Sequence, residues 1–159
     1  MLSLERSASL KNSATDMVKE KTIIIPSDIK RVKEVSSRIL DALKPYRVDD
    51  STIFDIRLCV EEAVINAIMH GNKKDAEKKV TVVYWVEDGK LHVEVADEGK
   101  GFDCGHLTDP TLQNNIMRDC GRGVFLIKHL AEKIKYNETG NKITIVKNLK
   151  GKEGPKKER

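Results

Sequence analysis

Glu62, Asn66 and His70 are spaced four residues apart in the run E-A-V-I-N-A-I-M-H-G at 62–71. An α-helix turns about 100° per residue, so side chains four apart share a face. A carboxylate, an amide and an imidazole then project along one stripe. The carboxylate can take a proton from an attacking hydroxyl or water. The amide oxygen is a hard ligand suited to Mg2+. Val60, Val64, Ala67 and Ile68 lie on the opposite stripe, fit to face a core. Taken alone, the polar stripe is more simply a solvated helix face.

Two glycine-bearing segments follow. The first, D-E-G-K-G-F at 97–102, leaves a strand-like run; the second, G-R-G at 121–123, opens a helical one. Glycine allows positive φ and close backbone approach to a ligand. A helix N-terminus beside glycines presents amide N–H groups to anions, the makings of a phosphate cradle. Asp97, ending its strand, can accept a hydrogen bond from a nucleobase amino group or can cap the turn. Arg122 can reach a terminal phosphate or face solvent.

These segments must be held by ordinary elements. Residues 1–20 are Ser-rich and aperiodic, which predicts a flexible leader. A β-branched run at 21–25, stopped by Pro26, predicts a strand. Ser27 is placed to cap a helix whose apolar face is Ile29, Val32, Val35, Ile39, Leu40 and Leu43, ended at Pro45. Asp49 or Asp50 can cap the next, with Ile53, Ile56, Val60, Ala63 and Val64 inward and Gly71 at its end. Strands at 80–86 and 91–96 join at Asp88-Gly89, a strong hairpin signal. After the patternless stretch 106–120 comes a helix with Val124, Ile127, Leu130 and Ala131 inward. A last hairpin spans 134–147 and turns at Gly140-Asn141. The order β-α-α-β-β-loop-α-β-β predicts a two-layer α/β sandwich, a mostly antiparallel sheet with helices on one face. One domain is expected over 21–148, with a basic disordered tail at 149–159.

Composition narrows the partners. The chain has 159 residues and a net charge of +4. The whole excess lies in residues 147–159, so the body is neutral and lacks the footprint of a nucleic-acid groove. No apolar run approaches the ~20 residues of a membrane span. The N-terminus lacks the apolar core of a signal peptide. Cys59, Cys104 and Cys120 show neither paired spacing nor a zinc pattern, which fits reduced thiols and a cytoplasmic location.

In order and spacing, the three segments resemble the ATP-binding domain of the histidine kinase-like ATPase superfamily, which also includes type II topoisomerases, heat-shock chaperone ATPases and mismatch-repair ATPases. Residues 62–71 are similar to its N-box, 97–102 to its first glycine box and 121–123 to its second. The form E-A-V-x-N-A-x-x-H-G, the short second box G-R-G-V-F-L-I-K-H-L-A-E and the nearly solitary domain most resemble the anti-sigma-factor serine/threonine kinases of partner-switching systems. No histidine precedes the N-box, as a histidine kinase's phospho-accepting helix would require.

That resemblance implies ATP and Mg2+ as cofactors, with Asn66 on the metal and Glu62 as the base acting on a protein serine or threonine. It implies a nucleotide-binding set of Asn66, His70, Asp97, Gly99, Gly101, Phe102, Gly121, Arg122, Gly123 and Val124. Asp97 would bind the adenine amino group; Gly121, Arg122 and Gly123 would hold phosphates. His70 would fix the helix end, and residues 104–120 would form a lid. Glu61, about 100° off the stripe, is expected to be structural. Asn72 stands where an aromatic is frequent in the family. The implied partners are an anti-sigma-factor antagonist of the STAS type as substrate, a sigma factor or other regulatory target, and a second copy in a homodimer. The alternative is a nucleotide-gated binding module without significant kinase activity.

Overall fold

The computed structural model describes residues 18–101 and 121–150. In chain order they form β1 (Val18–Pro26), a 3-10 turn (Ile29–Arg31), α1 (Val32–Leu43), a 3-10 turn (Lys44–Tyr46) and α2 (Asp50–Asn66). A π turn (Ala67–Gly71), β2 (Lys79–Glu87), β3 (Lys90–Ala96), α3 (Gly121–Leu130), β4 (Lys133–Tyr136) and β5 (Lys142–Asn148) follow. Residues 1–17, Phe102, the expected lid with Cys104 and Cys120, and residues 151–159 lie outside the described residues. Residues 18–20, expected in the leader, belong to β1. Leu149, expected in the tail, is buried in the core with its N–H donating to the Gly89 carbonyl at 3.0 Å.

The five strands run in the order β1-β2-β3-β5-β4, every neighbouring pair antiparallel. Strand side chains alternate between faces, so register decides what is buried. Val82 pairs with Val95, Tyr84 with Val93 and Val86 with Leu91; Val93 pairs with Ile145 and Val95 with Ile143. These residues form one apolar face. The Asp88-Gly89 turn has positive φ at both residues, 52° and 70°, matching the twist of a tight hairpin.

The helices cover that face. Val35, Ile39 and Leu43 of α1, Ile56, Val60 and Val64 of α2, and Ile127 of α3 join one core with the sheet. The fold is the expected α+β two-layer sandwich. No described helix is long and apolar enough to cross a membrane.

Two local expectations need correction. Ser27 does not cap the first helical segment; the Asp28 carboxylate accepts the Lys30 N–H there, at 3.0 Å. Ser27 turns inward and donates to the Lys78 carbonyl at 2.7 Å, tying β1 to the start of β2. The α2 helix likewise does not run regularly to Gly71. Its last turn widens, and the Asn72 N–H reaches back five residues to the Ala67 carbonyl at 2.8 Å. The Asp49 cap is present, its carboxylate accepting the Thr52 N–H at 2.7 Å.

Candidate nucleotide site

The stripe on α2 meets the start of α3 through a glycine. A Cβ at Gly123 would stand 2.5 Å from Glu62 Oε2 and 3.2 Å from Asn66 Nδ2. Only a residue without a side chain brings the α3 N-terminus this close to the carboxylate and amide. Its buried neighbour Val124 and the following turn's Ile127 anchor the helix to the core. Glu61 points the other way. Its Oε1 accepts from Ser36 Oγ of α1 at 2.8 Å and lies 3.9 Å from Arg57, so it braces α2 against α1.

The first glycine box meets the same helix end through two more glycines. A Cβ at Gly71 would overlap the Asp97 carboxylate, and one at Gly99 would overlap the Gly71 carbonyl. Gly101 has φ +81°, and a Cβ there would overlap the Thr139 carbonyl in the turn between β4 and β5. That turn is itself cross-braced: Asn137 Nδ2 and Thr139 Oγ1 both donate to Asn141 Oδ1, at 2.6 and 2.8 Å.

Asp97 sits half-buried where these segments converge. Its backbone N–H donates to the Asn141 carbonyl at 2.9 Å and its Oδ1 accepts the Gly99 N–H at 2.8 Å. Burial pushes the carboxyl above the ordinary carboxylate range, while the Gly99 N–H and the Lys78 charge oppose that shift. A carboxylate short of water and directed by one amide is suited to accept a further N–H from a ligand.

An open cleft runs between α2 and the sheet. Ala63, Asn66 and Ala67 form one wall, Val95, Asp97 and Ile143 the other, and Ile127, Tyr136 and Asn141 complete it. The lining is apolar except for a few convergent polar groups, as in small-molecule sites. Tyr136 and Asn141 belong to this cavity although neither stood out in the sequence. The only local signal was the pair of asparagines flanking a glycine turn. Burial pushes the Tyr136 hydroxyl up to about 12, so it stays protonated.

Of the expected residues, the fold brings Glu62, Asn66 and Gly123 together and sets Gly99 against Asp97 and Gly71. Asn66 and Asp97 line the same cavity, and Val124 is buried on the core side of α3. His70 is exposed and outside the cavity lining. The π turn over Ala67–Gly71 departs from the α-helical spacing on which the stripe from Glu62 to His70 was read. Phe102 lies outside the described residues, as does the Arg122 side chain. Cys59 is buried and its thiol is pushed up to about 11 by desolvation, which leaves it without nucleophilic character.

The residues present suit a Mg2+-bound nucleotide. Among the described residues no cluster of His, Cys, Asp or Glu could cage a metal by itself. A single amide oxygen beside a glycine-opened helix N-terminus instead suits a hydrated Mg2+ held largely by phosphates.

Comparison with known proteins places the chain in a family. Residues 25–147 match the histidine kinase-like ATPase domain. The serine-protein kinase RsbW of Staphylococcus epidermidis is 32% identical over 106 residues, which cover 62% of this chain and 67% of that protein. RsbW of Bacillus subtilis is 31% identical over 114 residues, 67% of this chain and 69% of the relative. RsbW of Listeria monocytogenes is 31% identical over 108 residues, 64% and 69% of the two chains. A crystal structure of the RsbU and RsbW domains of a Mycobacterium tuberculosis protein superposes with a TM-score of 0.60 at 19% identity. That match covers 83% of this chain and 32% of the longer one, and shows a shared fold.

Proposed function

Because the chain belongs to the histidine kinase-like ATPase family, in its branch of anti-sigma-factor serine-protein kinases, we propose that it is an ATP-dependent protein serine/threonine kinase of a partner-switching system. In this reading it phosphorylates an anti-sigma-factor antagonist and holds a sigma factor or similar target. The observation that carries the proposal is the close approach of Gly123 to Glu62 and Asn66, with Asp97 lining the same cavity as Asn66. In this reading Glu62 is the base and Asn66 the metal-binding amide, both beside the α3 N-terminus, and Asp97 reads the nucleobase.

Bound Mg-ATP would supply the transferable phosphoryl group. Phosphoryl transfer needs positioning and charge neutralisation more than covalent help. Asn66 offers its amide oxygen to the cation. The α3 N-terminus offers backbone N–H groups to phosphate oxygens, and Arg122, in its first turn, adds a cation. Glu62 takes the proton of the incoming serine or threonine hydroxyl. Asp97 accepts the N–H of the base and orients the nucleotide. The protein substrate must bring the hydroxyl to Glu62, so substrate choice rests on a protein–protein surface. Family likeness extends the proposal to a homodimer.

The test is phosphotransfer from radiolabelled Mg-ATP to antagonist proteins of the same genome, using wild type, Glu62→Gln and Asn66→Ala. The kinase reading expects a labelled antagonist with wild type. It expects loss of label with retained ATP binding in Glu62→Gln, and weakened Mg2+-dependent binding in Asn66→Ala. ATP binding with no labelled antagonist would favour a nucleotide-gated binding module instead.

A further inference from the structure

Asn72 is fully buried and every one of its polar groups is engaged. Its N–H donates to the Ala67 carbonyl and its carbonyl accepts from the Asp75 N–H. Its Nδ2 donates to Ser27 Oγ and to the Lys79 carbonyl, each at 2.9 Å. Its Oδ1 accepts the Glu98 N–H at 2.8 Å. One side chain therefore joins the end of the α2 segment, the end of β1, the start of β2 and the turn that carries Asp97.

Its neighbours in sequence give this network a direction. Gly71 precedes Asn72, and Asp97 precedes Glu98; Gly71 and the Asp97 carboxylate are the groups in closest approach. The Asn72–Glu98 hydrogen bond is the adjacent rung across the same gap. Leaving the Oδ1 of the fully buried Asn72 unpaired is disfavoured about tenfold or more, so turn conformations that swing Glu98 away are depleted. The Asp97 carboxylate is then held between the Gly99 N–H on its own turn and the Gly71 backbone across from it.

We propose that Asn72 is a positioning residue for base recognition: by holding the Glu98 amide it aims the Asp97 carboxylate at the exocyclic amino group of an adenine nucleotide. The inference rests on the nucleotide-binding reading above. Asn72 touches no ligand and acts through Asp97. No apolar side chain can replace it, because the position needs two donations and one acceptance at once.

The experiment is calorimetric titration of the full chain with Mg-ATP and with Mg-inosine triphosphate, which lacks the amino group. Wild type, Asn72→Leu and Ser27→Ala are compared, with melting temperatures in parallel. Ser27→Ala removes one partner of Asn72 but leaves the bond to Glu98, so it is the structural control. Wild type is expected to prefer ATP by about tenfold or more, the worth of one well-formed hydrogen bond to a charged group. Ser27→Ala should keep that preference despite a lower melting temperature. Asn72→Leu should bring the two affinities within about threefold of each other. A folded Asn72→Leu that still discriminates overturns the proposal, and so does equal loss in both variants, which would make the cluster merely structural. Wild type that binds both nucleotides equally refutes base reading by Asp97; wild type that binds neither refutes the nucleotide reading itself. Should Asn72→Leu not fold, amide exchange on wild type decides. A Glu98 N–H protected about tenfold or more over the Lys100 N–H supports the clamp, and one exchanging as fast as Lys100 overturns it.

Discussion

Gly123 lies against the Glu62 carboxylate so closely that a methyl group on its Cα would stand 2.5 Å from Oε2. This contact joins two segments separated by sixty residues of chain. The obstructed atom is the far end of a flexible side chain, so a larger residue would turn the carboxylate aside and leave the fold in place. Gly123→Ala should therefore keep a cooperative thermal transition while phosphotransfer falls about a hundredfold, the scale of a catalytic group misplaced by about 1 Å. Kinetics beside a melting curve checks it; unchanged turnover would remove Glu62 from the reaction.

Asp97 makes the free protein's stability depend on pH. Its folded-state pKa is raised by burial, so the folded state binds the proton more tightly than the unfolded chain. The associated stability is fully present below the ordinary carboxylate value of 3.8 and is lost as pH rises through the raised folded value. Asp97→Asn should then be more stable than wild type at pH 7, and the difference should vanish as pH falls below about 3.8. ATP affinity of the variant should drop. Thermal melts across pH, without nucleotide, test the sign.

Lys147 is buried at the inward face of β5, where it follows Ile143 and Ile145 in the alternation. Its Nζ pairs with Asp55 of α2 at 3.1 Å and donates to the Leu130 carbonyl, the end of α3, at 2.5 Å. Lys147→Met leaves a partly buried carboxylate and a helix-end carbonyl without a partner. It should lower stability by about 3 kcal/mol. Asp55→Leu with Lys147→Met should recover most of that loss, because an apolar pair replaces the ions. Denaturant titrations of the single and double variants measure both.

Cys59 is buried and its thiol is pushed up to about 11, so almost no thiolate is present at neutral pH. Site-resolved mass spectrometry after iodoacetamide treatment at pH 7.5 should find Cys59 unmodified in the folded protein and modified in guanidinium.

Much of this molecule follows from local rules that act along the chain. Helical periodicity put Glu62 and Asn66 on one stripe and Ile56, Val60 and Val64 on another. Strand alternation separated Leu91, Val93 and Val95 from His92 and Glu94. The Asp88-Gly89 pair specified its hairpin because both residues must take positive φ. The glycines of both boxes were legible as places where backbone must come close to something.

What each glycine approaches was decided by the tertiary structure. Gly71 against Asp97, Gly123 against Glu62 and Gly101 against Thr139 are contacts between distant segments, and no spacing rule encodes them. The π turn over Ala67–Gly71 breaks the 3.6-residue period on which the sequence reading of His70 depended. Ser27 read as a helix cap, since serine commonly bonds to nearby backbone, and Asn72 as standing where an aromatic is frequent in the family. Packing buried them together instead, and a buried hydroxyl and amide must find partners wherever the fold supplies them. Tyr136 and Asn141 became cavity walls only when β5 paired with β3. Local chemistry determined the elements and the reactive groups; burial and strand pairing determined which of those groups meet.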